Sequence, residues 1–162
     1  MDSFRIVKNN DLSGPCCKIY SIAIDDETDT LFDQFLDQFY DDYPDEVQDI
    51  YDRISVAGKS LGMRPQFYKP NEGKPGDGIC ALYDRPDSKL RLYLIQYGTN
   101  LVVLGGGGPK PKSIQAWQES VELTKVVESL EKISNRITKA IIDKDIKITK
   151  EGFNGDLTME II

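Results

Sequence analysis

A strand-like segment, Lys89–Tyr97, carries the residues best suited to chemistry. Its side chains alternate, so that three leucines share one face of a strand while Arg91 and Tyr93 share the other. A guanidinium can bind phosphate through two hydrogen bonds, and an aromatic ring beside it can stack on a base. A half-exposed structural strand with one solvated arginine is the alternative. The residues alone leave both interpretations open.

A run of four glycines follows the next strand and precedes two lysines. The segment Gly105–Ser113 reads GGGGPKPKS, which looks like a nucleotide-binding phosphate loop. Such a loop has glycine directly before its Lys-Ser pair, whereas Pro111 stands there and has no N–H to offer a phosphate. We therefore exclude a phosphate loop and expect a connecting loop that presents Lys110 and Lys112. Two solvated lysines on a connector are the structural alternative.

Two further features are typical of proteins that bind single-stranded nucleic acid. The loop over residues 63–74 contains Arg64 and Lys69 beside aromatic side chains. Trp117, the only tryptophan, is a candidate for stacking on a base. Each feature also has a structural explanation, because large aromatic residues are more often buried than stacked on a ligand.

The absence of histidine excludes several classes of enzyme. The chain has three cysteines, none in C-x-x-C spacing, and no histidine. Catalytic triads that depend on imidazole are therefore excluded, and no pattern predicts a zinc site. The carboxylates show no spacing typical of metal ligands. We expect neither a metal nor another cofactor.

Charge is unevenly distributed along this chain of net charge −7. Asp25 to Asp52 contains twelve acidic and no basic residues, whereas residues 53–113 contain ten basic and four acidic residues. A local positive surface can therefore bind a polyanion despite the acidic total. The acidic segment is interpreted either as a solvated helix face or as a surface that contacts a basic partner.

The composition predicts one globular domain over residues 1–162, with 40% hydrophobic and 29% charged residues. No stretch is long and apolar enough to predict a transmembrane helix, and residues 1–20 lack the apolar core of a signal peptide. We therefore expect a cytoplasmic protein without a membrane partner.

Hydrophobic periodicity predicts the elements that must position the basic residues. Residues 1–25 are expected to form two strands, followed by a helical hairpin in which Thr28 or Asp29 caps the first helix and Pro44 starts the second. The later elements are expected at Ile79–Tyr83, Lys89–Tyr97, Leu101–Leu104 and a long helix from Val121 to Ile141. Residues 144–162 are expected to pair Ile146–Ile148 with Leu157–Ile161 in a terminal β-hairpin. The expected fold is α+β, with an antiparallel sheet packed against the helical hairpin and the long C-terminal helix.

The order of these motifs resembles the RelE/ParE toxin superfamily, particularly the phage-type RelE-like branch of bacterial type II toxin–antitoxin systems. There a strand carrying L-R-L-Y, a short hairpin, a strand of the kind N-L-V-V-L-G and a basic loop precede a C-terminal helix. The matching sequence here is SKLRLYLIQYGTNLVVLGGGGPKPKSIQAW. The likeness extends from Phe32 to Ile142 and implies a RelE-like fold, with residues 144–162 as an extension.

The resemblance implies a ribosome-dependent endoribonuclease whose partners are mRNA, the ribosome and a protein antitoxin. Such enzymes cut mRNA by in-line attack of a ribose 2′-hydroxyl on the adjacent phosphate. Arg91 matches the family's strand arginine and would stabilise the phosphorane. Lys110 and Lys112 match basic residues after the following strand and would bind phosphate or transfer a proton. Trp117 falls near a position where tyrosine is common, and an indole can stack but cannot supply a phenolic proton.

Two departures from the family pattern leave other functions open. The chain lacks histidine, so that a general base must be a lysine with a depressed pKa or a tyrosine, and the protein is acidic overall. One alternative is a superfamily member that binds without cutting RNA, such as a ParE-like topoisomerase inhibitor. The other is a phage-derived structural or regulatory protein whose acidic segment contacts a basic partner.

Overall fold

The computed structural model describes residues 1–64, 68–69, 78–82, 89–110 and 121–161. Its elements form a mixed α+β fold built around one large sheet. The sheet strands are β1 (Ser3–Lys8), β2 (Lys18–Ile24), β3 (Tyr68–Lys69), β4 (Ile79–Leu82), β5 (Leu90–Tyr97), β6 (Leu101–Pro109) and β9 (Thr158–Glu160). A separate two-stranded sheet consists of β7 (Ile146–Thr149) and β8 (Gly152–Gly155).

The large sheet has seven strands in the order β3-β4-β5-β6-β2-β1-β9. Its pairs are antiparallel except for β2 and β6, which run parallel. A parallel pair requires a crossover, and the chain makes that crossover through the helical hairpin and β3–β5. The expectation of an antiparallel sheet is therefore confirmed in the main, and β2–β6 is the exception among the described strands.

The helical hairpin comprises α1 (Leu31–Phe39) and α2 (Pro44–Val56). Pro44 starts α2, as expected, because its missing N–H is not needed in the first turn. The expected cap at Thr28 or Asp29 is wrong. Thr30 caps α1 through a capping box in which its hydroxyl accepts from the Asp33 amide at 3.1 Å and Asp33 Oδ2 accepts from the Thr30 amide at 3.0 Å.

Helices cover both faces of the sheet. On one face, α1 and α2 pack Phe32, Phe35 and Ile50 against the leucines of β5. On the other, α3 (Val121–Ile142) packs its buried stripe against Tyr93, Ile95 and neighbouring strands. The long C-terminal helix is therefore confirmed. The alternative interpretation of β5 as a half-exposed strand with a solvated arginine is wrong, because its alternating side chains contribute to two cores rather than to one core and a solvated face.

The glycine run forms the second half of β6, and the expectation of a loop starting at Gly105 is therefore wrong. Leu92 pairs with Gly107 whereas Leu94 pairs with Leu104, which places one extra residue, a β-bulge, in β6. A Cβ at Gly107 would overlap the carbonyl oxygen of Arg91. Glycine therefore permits the close approach of the two backbones at this point.

The C-terminal pairing differs from the expected hairpin. β7 pairs with β8, whereas β9 joins the edge of the large sheet beside β1. Phe153 of β8 packs edge-on against the rings of Tyr20 and Tyr97, and its amide donates to the Tyr20 hydroxyl at 3.0 Å. These contacts hold the small sheet against the face that α3 covers. Among the described residues, no helix combines the length and hydropathy needed to cross a bilayer.

We predict that Gly107→Ala will destabilise the protein by about 2 kcal/mol or more, because an added methyl group must push apart two paired backbones. Gly106→Ala is the matched control, since the nearest atom to its added Cβ is Val126 Cγ1 at 4.0 Å. Urea unfolding of the two variants measures the difference. Equal stability losses in both would contradict a steric role specific to Gly107.

Candidate functional site

Arg91 is the second residue of β5, and its side chain is buried, with 4% of its surface exposed. Its Nη1 donates to the carbonyl oxygen of Leu90 at 3.1 Å. Tyr93 lies two residues further along the same strand face and is completely buried. The ring of Tyr93 therefore offers no exposed surface for stacking on a base, in contrast to the expected platform.

Lys110 directly follows β6, the strand that pairs with β5 and therefore lies next to Arg91. Its amide donates to the carbonyl oxygen of Lys89 at 2.6 Å, and its side chain is half-buried. The next two residues of β5 continue this pairing with β6: Leu90 pairs with Pro109, and Arg91 pairs with Gly108. The pairing of β5 and β6 thus brings Lys89, Arg91 and Lys110 to what we call the basic end of the sheet. Of these three residues, Lys89 is exposed and Lys110 is half-buried, and a positive surface of this kind can attract a phosphate group.

Two other expected RNA-binding residues, Arg64 and Lys69, do not lie at the basic end. Arg64 is exposed and follows Met63, whose amide donates to Thr99 in the turn at the opposite end of β5 and β6. The backbone of Lys69 pairs with Ala81, which in turn pairs with Tyr93, and this places Lys69 on an edge strand level with Tyr93. Lys112 and Trp117 lie outside the described residues.

Glu46 is a residue at the basic end that sequence reasoning missed. It lies in the first turn of α2, where a carboxylate interacts favourably with the helix dipole. Its Oε1 accepts from the amides of Lys89 at 2.7 Å and Leu90 at 3.1 Å. The carboxylate therefore fastens the helical hairpin to the start of β5. The only sequence signal is an acid early in a helix, which does not identify a partner 43 residues away.

Metal-ligating side chains and cysteines are two other kinds of reactive group among the described residues. The described residues include no cluster of three or more His, Cys, Asp or Glu side chains able to hold a metal ion. Cys17 and Cys80 are buried, and burial raises the pKa of each thiol to about 12. These two thiols remain protonated near neutral pH and are poor nucleophiles.

The acidic segment Asp25–Asp52 lies on the outside of the helical hairpin and the turn that precedes it. Each of its twelve carboxylates is exposed or half-buried. Between α1 and α2 the surface forms a groove of about 530 Å³ lined by Asp37, Asp41, Tyr40 and Tyr51, among others. This arrangement is consistent with both interpretations of the segment, as a solvated surface and as a contact for a basic partner.

Comparison of the chain with protein-family models, curated proteins and solved structures gave no match. The function must therefore be argued from the basic end and from the order of the motifs.

We predict that Glu46→Ala will lower the free energy of unfolding by about 1–3 kcal/mol, because two amides at the start of β5 lose their acceptor. Glu46→Gln keeps an acceptor oxygen and should lose less. Asp45→Ala removes a neighbouring exposed acid from the same helical turn and serves as the control. In urea unfolding, Glu46→Ala should be the least stable variant, followed by Glu46→Gln and then by the control. If Asp45→Ala were as damaging as Glu46→Ala, helix-dipole effects would account for the loss.

We also predict that a thiol reagent such as DTNB will modify one cysteine rapidly in the folded protein. Cys16 is partly exposed, whereas Cys17 and Cys80 are buried and their raised pKa leaves little thiolate. All three should react once the protein is unfolded in urea. Rapid reaction of Cys17 or Cys80 in the folded state, identified by mass spectrometry, would contradict the structure.

Proposed function

We propose that the chain is a RelE-like toxin that cleaves ribosome-bound mRNA and is neutralised by a protein antitoxin. The observation that carries the proposal is the basic end of the sheet, where Arg91 lies on β5 and Lys110 directly follows the paired strand β6. Arg91 belongs to the L-R-L-Y motif, and Lys110 comes after the N-L-V-V-L-G motif; the resemblance rests on these two motifs. The roles proposed for Arg91 and Lys110 do not involve a metal ion.

The element order supports the same proposal. A helical hairpin precedes three antiparallel strands, β4, β5 and β6, and α3 follows them. The L-R-L-Y motif lies on β5 and the N-L-V-V-L-G motif begins in the turn before β6. This is the arrangement that the resemblance implies for a strand arginine and a following basic segment.

The proposed reaction is an internal transfer of a phosphodiester. The 2′-oxygen of a ribose forms a bond to the adjacent phosphorus while the bond from phosphorus to the 5′-oxygen of the next nucleotide breaks. A base accepts the proton of the 2′-hydroxyl, and the departing 5′-oxygen gains a proton. Arg91 would stabilise the additional negative charge of the phosphorane, and Lys110 would bind the phosphate or deliver a proton.

The low exposure of Arg91 is relevant to this chemistry. A positive charge held in a poorly solvated position interacts more strongly with a developing negative charge than one in water does. The hydrogen bond from Nη1 to the carbonyl oxygen of Leu90 fixes part of the guanidinium. Both features suit a group that must be in place before charge develops.

A second candidate function is a superfamily member that binds its target without cutting RNA, such as a topoisomerase inhibitor. Two observations favour it: the ring of Tyr93 is completely buried and cannot stack on a base, and the chain has no histidine to act as a base. Growth inhibition without RNA cleavage is the behaviour that separates this candidate from the first.

We predict that induced expression of the wild-type chain in a bacterial host will arrest growth and fragment mRNA. Arg91→Met removes the positive charge but keeps much of the side-chain length, and should reduce cleavage by about 100-fold or more. Arg91→Lys should retain part of the activity, and Lys110→Met should reduce it less than Arg91→Met. RNA blots of induced cultures and primer extension across the cleavage sites measure the effect.

The control is Lys147→Ala, an exposed cation on β7 that lies outside the basic end. Circular dichroism and thermal unfolding of each purified variant distinguish loss of activity from loss of structure. Full cleavage by folded Arg91→Met would overturn the site assignment. Growth arrest with intact mRNA, together with co-purification of a topoisomerase rather than ribosomes, would replace the first function by the second.

A further inference from the structure

A groove of about 850 Å³ lies at the opposite end of β5 and β6 from Arg91. It forms where the turn between β7 and β8 approaches the start of β2, the turn between β5 and β6, and the π-helical turn Ala57–Leu61 that continues α2. Ligand pockets for small molecules generally have volumes of about 300–1,000 Å³. The groove is therefore large enough for a ligand of nucleotide size.

The charges that line this groove are positive. Lys18 contributes from the start of β2 and Lys150 from the turn between β7 and β8. Among the described residues that line the groove, none is an aspartate or a glutamate. A phosphate monoester carries a charge of about −2 at neutral pH, which the two ammonium groups of this groove can balance.

The groove also exposes apolar surface. Leu61 and Ile148, which line it, are large hydrophobic residues with 39% and 45% of their surface exposed. Burial of these side chains against a ligand would be favourable. A ligand for this groove should therefore carry an uncharged apolar or aromatic part in addition to its anionic group.

Tyr97 supplies a third feature. Its ring packs edge-on against Phe153 with centroids 5.5 Å apart, and its hydroxyl is buried without a hydrogen-bond partner among the described residues. Burial raises the pKa of Tyr97 well above its usual range, so the hydroxyl keeps its proton and acts as a donor. Tyr97 also lines the groove, so that a small local movement that uncovered the hydroxyl would let a ligand oxygen supply the acceptor that it lacks.

We propose that this groove binds a small phosphate monoester with an apolar or aromatic body, through Lys18, Lys150 and the Tyr97 hydroxyl. Lysine is a common phosphate-binding residue, since its ammonium group acts as a compact positive charge. The site is separate from the basic end of the sheet, because Arg91 lies at the start of β5 and Tyr97 at its end. The inference therefore does not depend on the proposed RNA cleavage.

Isothermal titration calorimetry of the full chain with adenosine 5′-monophosphate tests the proposal. We expect saturable binding of this probe, with weaker binding of inorganic phosphate and of adenosine, which each offer only one part of the ligand. Lys18→Ser and Lys150→Ser should each weaken binding by about tenfold or more. Lys147→Ser, which removes an exposed lysine of the same hairpin outside the groove lining, should leave binding unchanged.

Tyr97→Phe gives a second readout that a merely structural tyrosine would not produce. The variant should raise the unfolding temperature of the ligand-free protein, because it removes a buried donor without an acceptor. It should also weaken binding of adenosine 5′-monophosphate. Unchanged affinity in this variant would overturn the role of the hydroxyl.

Three results would overturn the groove as a phosphate site. The first is the absence of saturable binding by the wild-type chain at millimolar adenosine 5′-monophosphate. The second is an equal loss of affinity in Lys147→Ser and Lys18→Ser, which would indicate general attraction to a positive surface. The third is tight binding of single-stranded RNA that Lys18→Ser abolishes while the mononucleotide does not bind, which would identify a macromolecular ligand instead.

Discussion

The fold depends on the burial of β5 on both of its faces. Leu92 and its alternate neighbours pack under α1 and α2, while Tyr93 and Ile95 pack under α3. β5 lies between β4 and β6 in the sheet. On the β6 side, Gly107 permits the close approach of the two backbones, because a Cβ there would overlap the carbonyl oxygen of Arg91. The bulge near Gly107 changes the register so that β6 continues alongside β5 to Pro109. Without that continuation, Lys110 would not lie beside the start of β5.

The same constraint explains the unusual environment of Arg91. An arginine within a strand that is covered on both sides cannot place its whole side chain in water. Its side chain is therefore buried, and its Nη1 donates a hydrogen bond to the carbonyl oxygen of Leu90. Glu46 lies close in the fold, bonded to the two amides that precede Arg91. The most acidic part of the chain and its basic end are thus joined by direct contact, which the uneven distribution of charge along the sequence does not reveal.

Local signals in the sequence predicted most of the elements, whereas distant pairings were not predictable from them. Pro44, the strands β1, β2, β4 and β5, and the periodicity of α3 follow from residue types within a few positions of one another. The cap at Thr30 also has a local signal, the T-x-x-D spacing to Asp33, which favours it over the neighbouring polar residues. The pairing of β9 with β1 and the contact of Glu46 with β5 have none, since each joins segments far apart in sequence. For the candidate site, the proximity of Arg91 and Lys110 followed from the hairpin of β5 and β6, whereas the burial of Arg91 had no local signal in the sequence.

Ser21 shows what the parallel pairing of β2 with β6 means for the order of folding. Its hydroxyl donates to the carbonyl oxygen of Leu104 at 2.7 Å, across 83 residues of sequence, and accepts from the amide of Phe32 at 3.2 Å. The contact with Phe32 can form as soon as α1 exists, but the contact with Leu104 must await the synthesis of most of the chain. Closing so long a segment has a large entropic cost before any interaction compensates for it. During translation, β1, β2 and the helical hairpin are synthesised before β6, so that any β1–β2 pair that forms early has the β6 edge of β2 open until β6 has been made.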